Sequence, residues 1–211
     1  MALFITFEGG EGSGKSTQAA LLVAHLNAAG NEAVLTREPG GTGLGEKITH
    51  LLKWSEEEHI SPLAEVMLFN ASRAELVSDV IKPALASGII VICDRYVDST
   101  LVYQGYGRGL TNSTVKAVNS IAIQGLMPDV TFLLDLSVGE GLGRKRGTKA
   151  DRFEKEGVDF HRRIRDGYLA LAAIEPSRWV KIDASLPKQT IAEIIWNQTL
   201  NALESHALKK P

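Results

Sequence analysis

The stretch Leu3-Phe4-Ile5-Thr6-Phe7-Glu8-Gly9-Gly10-Glu11-Gly12-Ser13-Gly14-Lys15-Ser16-Thr17 decides how the rest of the chain is read. Its first five residues are apolar, β-branched and aromatic, the composition of a buried strand, and they run straight into glycines. From Lys15 to Ala29 the pattern turns helical, with Leu21, Leu22 and Leu26 on one side and Gly30 as the stop. Between strand and helix, residues 9–16 match the P-loop pattern Gly-x-x-x-x-Gly-Lys-Ser, and Thr17 follows. The spacing has a physical reason. Glycines let successive backbone N–H groups converge on phosphate oxygens, Lys15 reaches the β- and γ-phosphates, and the Ser16 hydroxyl serves Mg²⁺. The helix that opens there adds the positive end of its dipole. A glycine-rich loop alone is more often a plain turn, but a strand before it and a helix after it are the context that the motif requires. Gly10, Glu11, Gly12, Ser13, Gly14, Lys15, Ser16 and Thr17 are therefore the expected ATP-binding residues.

Outward from this loop, short apolar runs alternate with helical patterns. Ala33–Thr36 reads as a second strand, ending in the turn-rich Glu38-Pro39-Gly40-Gly41-Thr42-Gly43. A long helical stretch after Pro62 runs towards Pro83 and Gly88, and Pro83 is expected to kink or shorten it. Ile89-Ile90-Val91-Ile92-Cys93 is apolar throughout, as a strand buried on both faces should be. Thr111–Gly125 is helical, Val130–Leu134 is another apolar strand, and Phe160, Ile164, Tyr168 and Leu171 fall on one helical face. Trp179–Ile182 makes a fifth strand before a last helix around Ile191–Leu203. The expectation is an α/β chain of the P-loop NTPase fold: a five-stranded parallel sheet with helices on both faces and a basic lid. No repeat or linker divides it, so residues 1–211 read as a single domain. Ligands of such sheets sit beyond the carboxyl ends of the strands, so the loops after residues 7, 36, 93, 135 and 183 form the expected working edge.

Composition removes several classes. The 211 residues are 44% hydrophobic and 23% charged, which excludes a disordered tail, a collagen-like fibre or a disulfide scaffold. No apolar run exceeds seven residues, too short to span a bilayer, and no basic residue precedes Lys15, unlike a secretory leader. With Cys93 as the single cysteine, no intramolecular disulfide is possible and a cytoplasmic location is expected. A net charge of −2 argues against a general nucleic-acid binder.

A P-loop specifies a nucleoside triphosphate and little else. A switch GTPase should carry Asp-x-x-Gly after a strand, and that pattern is absent from the sequence. Thr148-Lys149-Ala150-Asp151 fits the guanine-reading pattern literally but follows Gly143-Arg144-Lys145-Arg146-Gly147, which is no strand. A motor ATPase usually needs a larger chain. A kinase acting on a small acceptor is the leading reading. Asp94, at the end of the strand 89–93, stands where an acid is wanted to hold Mg²⁺, and Arg95 beside it suits bidentate phosphate contact. Ser16 and Asp94 are thus the expected metal-site residues; the bland alternative for Asp94 is a helix cap paired with a surface arginine.

Four motifs in order now carry a resemblance. Phe7–Thr17, Thr36-Arg37-Glu38-Pro39-Gly40-Gly41-Thr42, Asp94-Arg95-Tyr96-Val97-Asp98-Ser99 and Tyr103-Gln104-Gly105 are similar to the bacterial thymidylate kinases, over residues 3 to about 200. The resemblance implies ATP-dependent phosphorylation of dTMP to dTDP in dTTP biosynthesis, a nucleoside monophosphate kinase fold, a Mg²⁺ requirement and a homodimer, with ATP and dTMP as small-molecule partners and neither nucleic acid nor membrane. It implies that Phe69 stacks on thymine and that Arg73 hydrogen-bonds a base carbonyl; the i, i+4 spacing independently lets both grip one flat base. It assigns Thr100, Tyr103 and Gln104 to the deoxyribose and base edge, Arg37 and Arg95 to the acceptor phosphate with Glu38 beside them, and Glu11 to orientation of the deoxynucleotide through its 3′-hydroxyl. Another nucleoside monophosphate or deoxynucleoside kinase, and a GTP-binding switch without an acceptor, are the alternatives.

The remaining signal is charge. Residues 144–155 hold Arg144, Lys145, Arg146, Lys149, Arg152 and Lys155 against Asp151 and Glu154, bounded by glycines. Such a run is usually a solvated face. Here it follows a strand on the working edge, while the variable P-loop positions 10–13 contain no cation. Phosphoryl transfer needs charge beyond Lys15 and Mg²⁺, so a lid over about 142–155 is expected to supply it. Arg144, Arg146 and Arg152 join Lys15, Asp94 and Arg95 as expected catalytic residues; which of the three arginines meets the transferred phosphate stays open, because Arg146-Gly147 stands one residue further from Asp151-Arg152 than the resemblance suggests.

Overall fold

The computed structural model describes residues 2–55, 59–145, 147 and 149–208. Five parallel strands, β1 (Phe4–Glu8), β2 (Ala33–Arg37), β3 (Ile90–Asp94), β4 (Val130–Asp135) and β5 (Trp179–Asp183), form one sheet in the order β2-β3-β1-β4-β5. The central β1 pairs with β3 (Phe4 opposite Val91) and with β4 (Ile5 opposite Val130). Its residues are all buried, which is why the sequence reads as a continuous apolar run and not an alternating one.

Alternation still sorts the two faces. Leu3, Ile5, Phe7, Ile90 and Ile92 point to one side, against Leu22 and Leu26 of α1 (Lys15–Ala28) and Ile191 and Ile195 of α9 (Lys188–Leu208). Phe4, Val91 and Cys93 point to the other, against Leu76, Val77 and Ile81. Each strand ends on a charged residue at the same edge: Glu8, Arg37, Asp94, Asp135 and Asp183. The five loops expected to form the working edge leave from there.

Two stretches depart from the sequence expectation. Helix α2 (Gly43–Trp54) begins directly after the glycine-rich turn, capped by Thr42, whose hydroxyl accepts from the Gly45 N–H at 2.9 Å. The expected long helix after Pro62 is α3 (Pro62–Leu76), a π-type turn over Val77–Ile81, then α4 (Lys82–Ala86). Pro83 has no N–H to donate, and the chain widens just ahead of it, with the Lys82 N–H reaching back to the Val77 carbonyl.

A second π-type turn, Leu101–Gly107, follows the short α5 (Val97–Thr100), where the Arg108 N–H bonds to the Tyr103 carbonyl at 2.9 Å. The wider turn brings Thr100, Tyr103 and Gln104 to one cavity, the use such bulges often serve. Beyond it lie α6 (Asn112–Ile123), α7 (Val138–Arg144) and α8 (Val158–Ile174). No described helix is long and apolar enough to cross a membrane.

Candidate active site at the carboxyl edge of the sheet

The loop between β1 and α1 is closed by its own lysine. Lys15 is buried, and its Nζ donates to the Gly10 carbonyl at 2.7 Å and the Ser13 hydroxyl at 3.3 Å. Burial, and after it the nearby Arg95 charge, bring its pKa down to about 8. Incoming phosphates would reverse that shift. Ser16 Oγ donates to Asp94 Oδ2, while Asp94 Oδ1 is buried without a hydrogen-bond partner. One hydroxyl and one carboxylate with an unsatisfied oxygen fit Mg²⁺, which takes one or two protein oxygens and completes its shell with phosphate and water. Among the described residues no cluster of three His, Cys, Asp or Glu offers a metal an all-protein cage.

A wide cavity over this loop is lined by Glu11, Gly12, Gly14, Lys15, Ser16, Thr17, Asp94 and Arg95, with Arg37, Arg144, Lys145 and Lys149 around it. A second, more apolar cavity is lined by Phe69, Arg73, Thr100, Tyr103, Gln104 and Phe153. The two share Glu11, Glu38, Pro39, Lys53, Arg95 and Asp151 in their walls.

Arg95 stands at that junction. Its backbone holds φ at 70°, a left-handed conformation costing on the order of 1–3 kcal/mol in a non-glycine residue. Its guanidinium donates to the Gly9 carbonyl (3.1 Å), Ser99 Oγ (3.3 Å), Tyr168 Oη (3.1 Å) and Glu11 Oε1 (2.8 Å). The Tyr103 hydroxyl also donates to Glu11 Oε1, at 2.7 Å. Burial pushes the Glu11 pKa up, but Arg95, Lys15 and Tyr103 outweigh it and hold the carboxyl at about 2. Behind Arg95 lies Glu8, which accepts from the Tyr96 N–H, Ser99 Oγ and Tyr168 Oη. Burial, then the charge of Asp98, raise its pKa to about 7.

Arg73 is only 1% exposed although it lines the apolar cavity. Each of its three nitrogens already donates inside the protein: Nε and Nη2 to Glu38, Nη1 to Asn70 and Asn119, and Nη2 also to Thr100 Oγ1 and the Tyr96 carbonyl. The guanidinium thus ties α3 to Glu38 and α5. Arg37 forks onto Glu46 of α2, with both oxygens at 2.8 Å from Nη2.

Of the three arginines expected in a lid, Arg144 and Arg152 lie apart. Arg144, the last residue of α7, lines the phosphate-side cavity and reaches the carbonyls of Gly12 (3.4 Å) and Ala184 (3.2 Å). The helix sits tightly on the P-loop: a Cβ on Gly12 would come within 2.2 Å of the Gly141 carbonyl. Arg152 lies elsewhere. It donates to the Leu52 carbonyl at 2.9 Å and to Glu65 Oε2 at 2.6 Å, lining neither of the two cavities, so it ties the basic stretch to α2 and α3. Arg146 lies outside the described residues.

Sequence reasoning assigned no site role to Lys53, Asp151, Phe153, Glu8, Ser99 or Tyr168. Lys53 pairs with Asp151 at 3.2 Å, and the Phe153 ring lies 5.7 Å from that of Phe69. The available signal for Phe153 was a single aromatic inside the basic stretch.

The profile of the thymidylate kinases matches residues 7–195. The chain belongs to the thymidylate kinase family. It is 59% identical over 203 residues to a protein named thymidylate kinase from Dehalococcoides mccartyi, covering 96% of this chain and 98% of that one. A thymidylate kinase from Thermomicrobium roseum is 50% identical over 198 residues, 93% of each chain. The crystal structure of thymidylate kinase from Ehrlichia chaffeensis superposes with a TM-score of 0.76 at 36% identity, covering 94% of this chain and 98% of that one. That agreement supports the five-stranded parallel sheet with its flanking helices as a thymidylate kinase fold.

Proposed function

We propose that this thymidylate kinase family member transfers the γ-phosphoryl group of ATP to the phosphate of dTMP, giving dTDP for dTTP synthesis. The observation that carries the reading is the meeting of the phosphate-side cavity and the apolar cavity at Glu11, Glu38 and Arg95. Two substrates seated there bring acceptor phosphate and donor phosphate together without a protein nucleophile between them. The acceptor phosphate is itself the nucleophile, so the transfer is direct and in line, and catalysis is positioning plus charge stabilisation.

In this reading Gly10, Glu11, Gly12, Ser13, Gly14, Lys15, Ser16 and Thr17 cradle the ATP phosphates. Ser16 and Asp94 hold Mg²⁺, whose charge offsets that of the phosphate oxygens. Arg95 and Arg37 take the acceptor phosphate, Glu11 fixes Arg95 and faces the deoxyribose, and Phe69 with Gln104 receives the base. Arg73, in the same wall, ties Glu38 and Thr100 to α3. Arg144 is the lid cation best placed to meet the transferred group. The lid covers about residues 142–155 of one domain spanning 1–211, a reading supported by the single sheet.

A homodimer is supported by Leu63 and Met67, one turn apart on α3, and by Ile121 on the neighbouring α6, all left exposed. A cytoplasmic location is supported by the lone Cys93 and the ATP chemistry. The decisive experiment measures ADP release with dTMP, dUMP, dCMP and thymidine as acceptors and with ATP or GTP as donor. Preference for dTMP with ATP is expected. GTP preference without transfer would indicate a switch protein, and preference for another acceptor would indicate a different kinase.

A further inference from the structure

Glu65 of α3 is 1% exposed and lines neither of the two cavities. Its Oε1 accepts from Gln104 Nε2 at 2.8 Å and from Arg108 Nε at 3.2 Å. Its Oε2 accepts from Arg152 Nη2 at 2.6 Å and Arg108 Nη2 at 3.4 Å. Arg108 is anchored in turn by Glu156. A carboxylate held between two guanidinium groups can only accept. It therefore dictates which end of the Gln104 amide faces it. Turning the amide round would set its oxygen against a carboxylate oxygen in a buried site. The NH₂ must face Glu65, and the carbonyl is left at the other end.

That carbonyl, Gln104 Oε1, is buried and accepts no hydrogen bond. Gln104 itself is part of the wall of the apolar cavity, alongside Phe69 and Arg73. Leaving a buried acceptor unpaired is costly, so a ligand that brings a donor to this wall gains and one that brings a second acceptor loses. The edges of pyrimidines differ in this respect. Thymine and uracil carry a ring N–H at N3, where cytosine carries a lone pair.

We propose that Glu65 is a positioning residue for acceptor selection: by fixing the Gln104 amide, it makes the wall present an oxygen, which matches a base with a ring N–H donor and mismatches cytosine. The proposal rests on the reading of the apolar cavity as the acceptor-base site. Arg108 bonds both carboxylate oxygens and Arg152 bonds Oε2, so the basic stretch and the base wall share one buried anion.

The test compares dTMP and dCMP in Glu65→Gln, where a neutral amide can donate to Gln104 and let it turn its NH₂ to the base. The KM for dTMP should rise roughly 10- to 100-fold, the scale of one mispaired buried hydrogen bond, with kcat little changed. The dTMP-to-dCMP ratio of kcat/KM should fall at least tenfold. Glu65→Asp keeps the charge for Arg108 and Arg152 but shortens the reach to Gln104; the ratio should fall there too, even if Glu65→Gln does not fold. In a Gln104→Leu background, Glu65→Gln should leave the ratio unchanged, whereas a merely structural role would alter turnover without this dependence. The wild-type enzyme should bind the N3-methyl analogue of dTMP at least tenfold more weakly than dTMP. A ratio within twofold of wild type in the folded variants, or equal binding of the N3-methyl analogue, overturns the proposal. A wild-type enzyme with no preference for dTMP over dCMP overturns the acceptor-base reading itself.

Discussion

Replacing Arg144 by alanine should cost on the order of 10³-fold in kcat while changing both KM values only a few-fold. The P-loop carries no cation at residues 10–13, and Arg144 stands over it at the end of α7. Its hydrogen bonds to the Gly12 and Ala184 carbonyls are long, 3.4 and 3.2 Å, so releasing them towards a phosphoryl oxygen costs little. One unit charge about 4 Å from another at an effective dielectric near 20 contributes about 4 kcal/mol, which is roughly a thousandfold in rate. Only charge developed in the transition state counts towards kcat, so the loss should appear there and not in ground-state binding. Arg144→Lys should recover little, since an ammonium does not reproduce the planar fork. Arg152→Ala is the internal comparison. That residue is bonded to Glu65 and Leu52, and its removal should lower stability by about 1–3 kcal/mol and kcat by much less than Arg144→Ala. Steady-state kinetics by coupled ADP release, with thermal melts of both variants, give the answer. A kcat for Arg144→Ala within a few-fold of wild type would mean that Arg144 does not meet the transferred phosphoryl group.

Nucleotide binding should weaken above pH 8: Lys15 starts from a lowered pKa of about 8, phosphates raise it, and binding therefore takes up a proton at alkaline pH. The expected slope is up to about tenfold in Kd per pH unit above 8, measurable by calorimetry, and a flat profile to pH 9.5 would contradict it. Asp94→Asn should remove most activity and shift the Mg²⁺ titration to higher concentration; an unchanged titration would make Asp94 only a partner of Ser16. Phe69→Ala should raise the KM for dTMP about 5- to 150-fold with little change for ATP, the scale of base–aromatic stacking. Arg73→Ala should instead lower stability by roughly 3–5 kcal/mol, since it leaves Glu38 buried and uncompensated; a melting temperature equal to wild type would return Arg73 to a purely ligand-facing role.

The sheet was readable because parallel strands are buried on both faces: Phe4–Phe7, Ile90–Cys93 and Val130–Leu134 have no polar alternation to confuse them with surface segments. The P-loop was readable because its spacing is set by phosphate geometry. Helix α2 was hidden by the glycines ahead of it, and the π-type turn over Leu101–Gly107 has no periodic signature, although it sets Thr100, Tyr103 and Gln104 on one wall. The fate of Arg73 and Arg152 was also out of reach. Sequence supplies their charge, but whether a guanidinium meets a ligand or a buried carboxylate depends on Glu38 and Glu65, 35 and 87 residues away.

If ATP hands its γ-phosphoryl group straight to dTMP, an isotope label on that group follows it. With ATP labelled at the γ-phosphorus, Mg²⁺ and dTMP, the purified protein should place the label at the β-phosphorus of dTDP, with one ADP formed for each dTDP. ADP formation with the label released as inorganic phosphate, and no dTDP, would contradict the account.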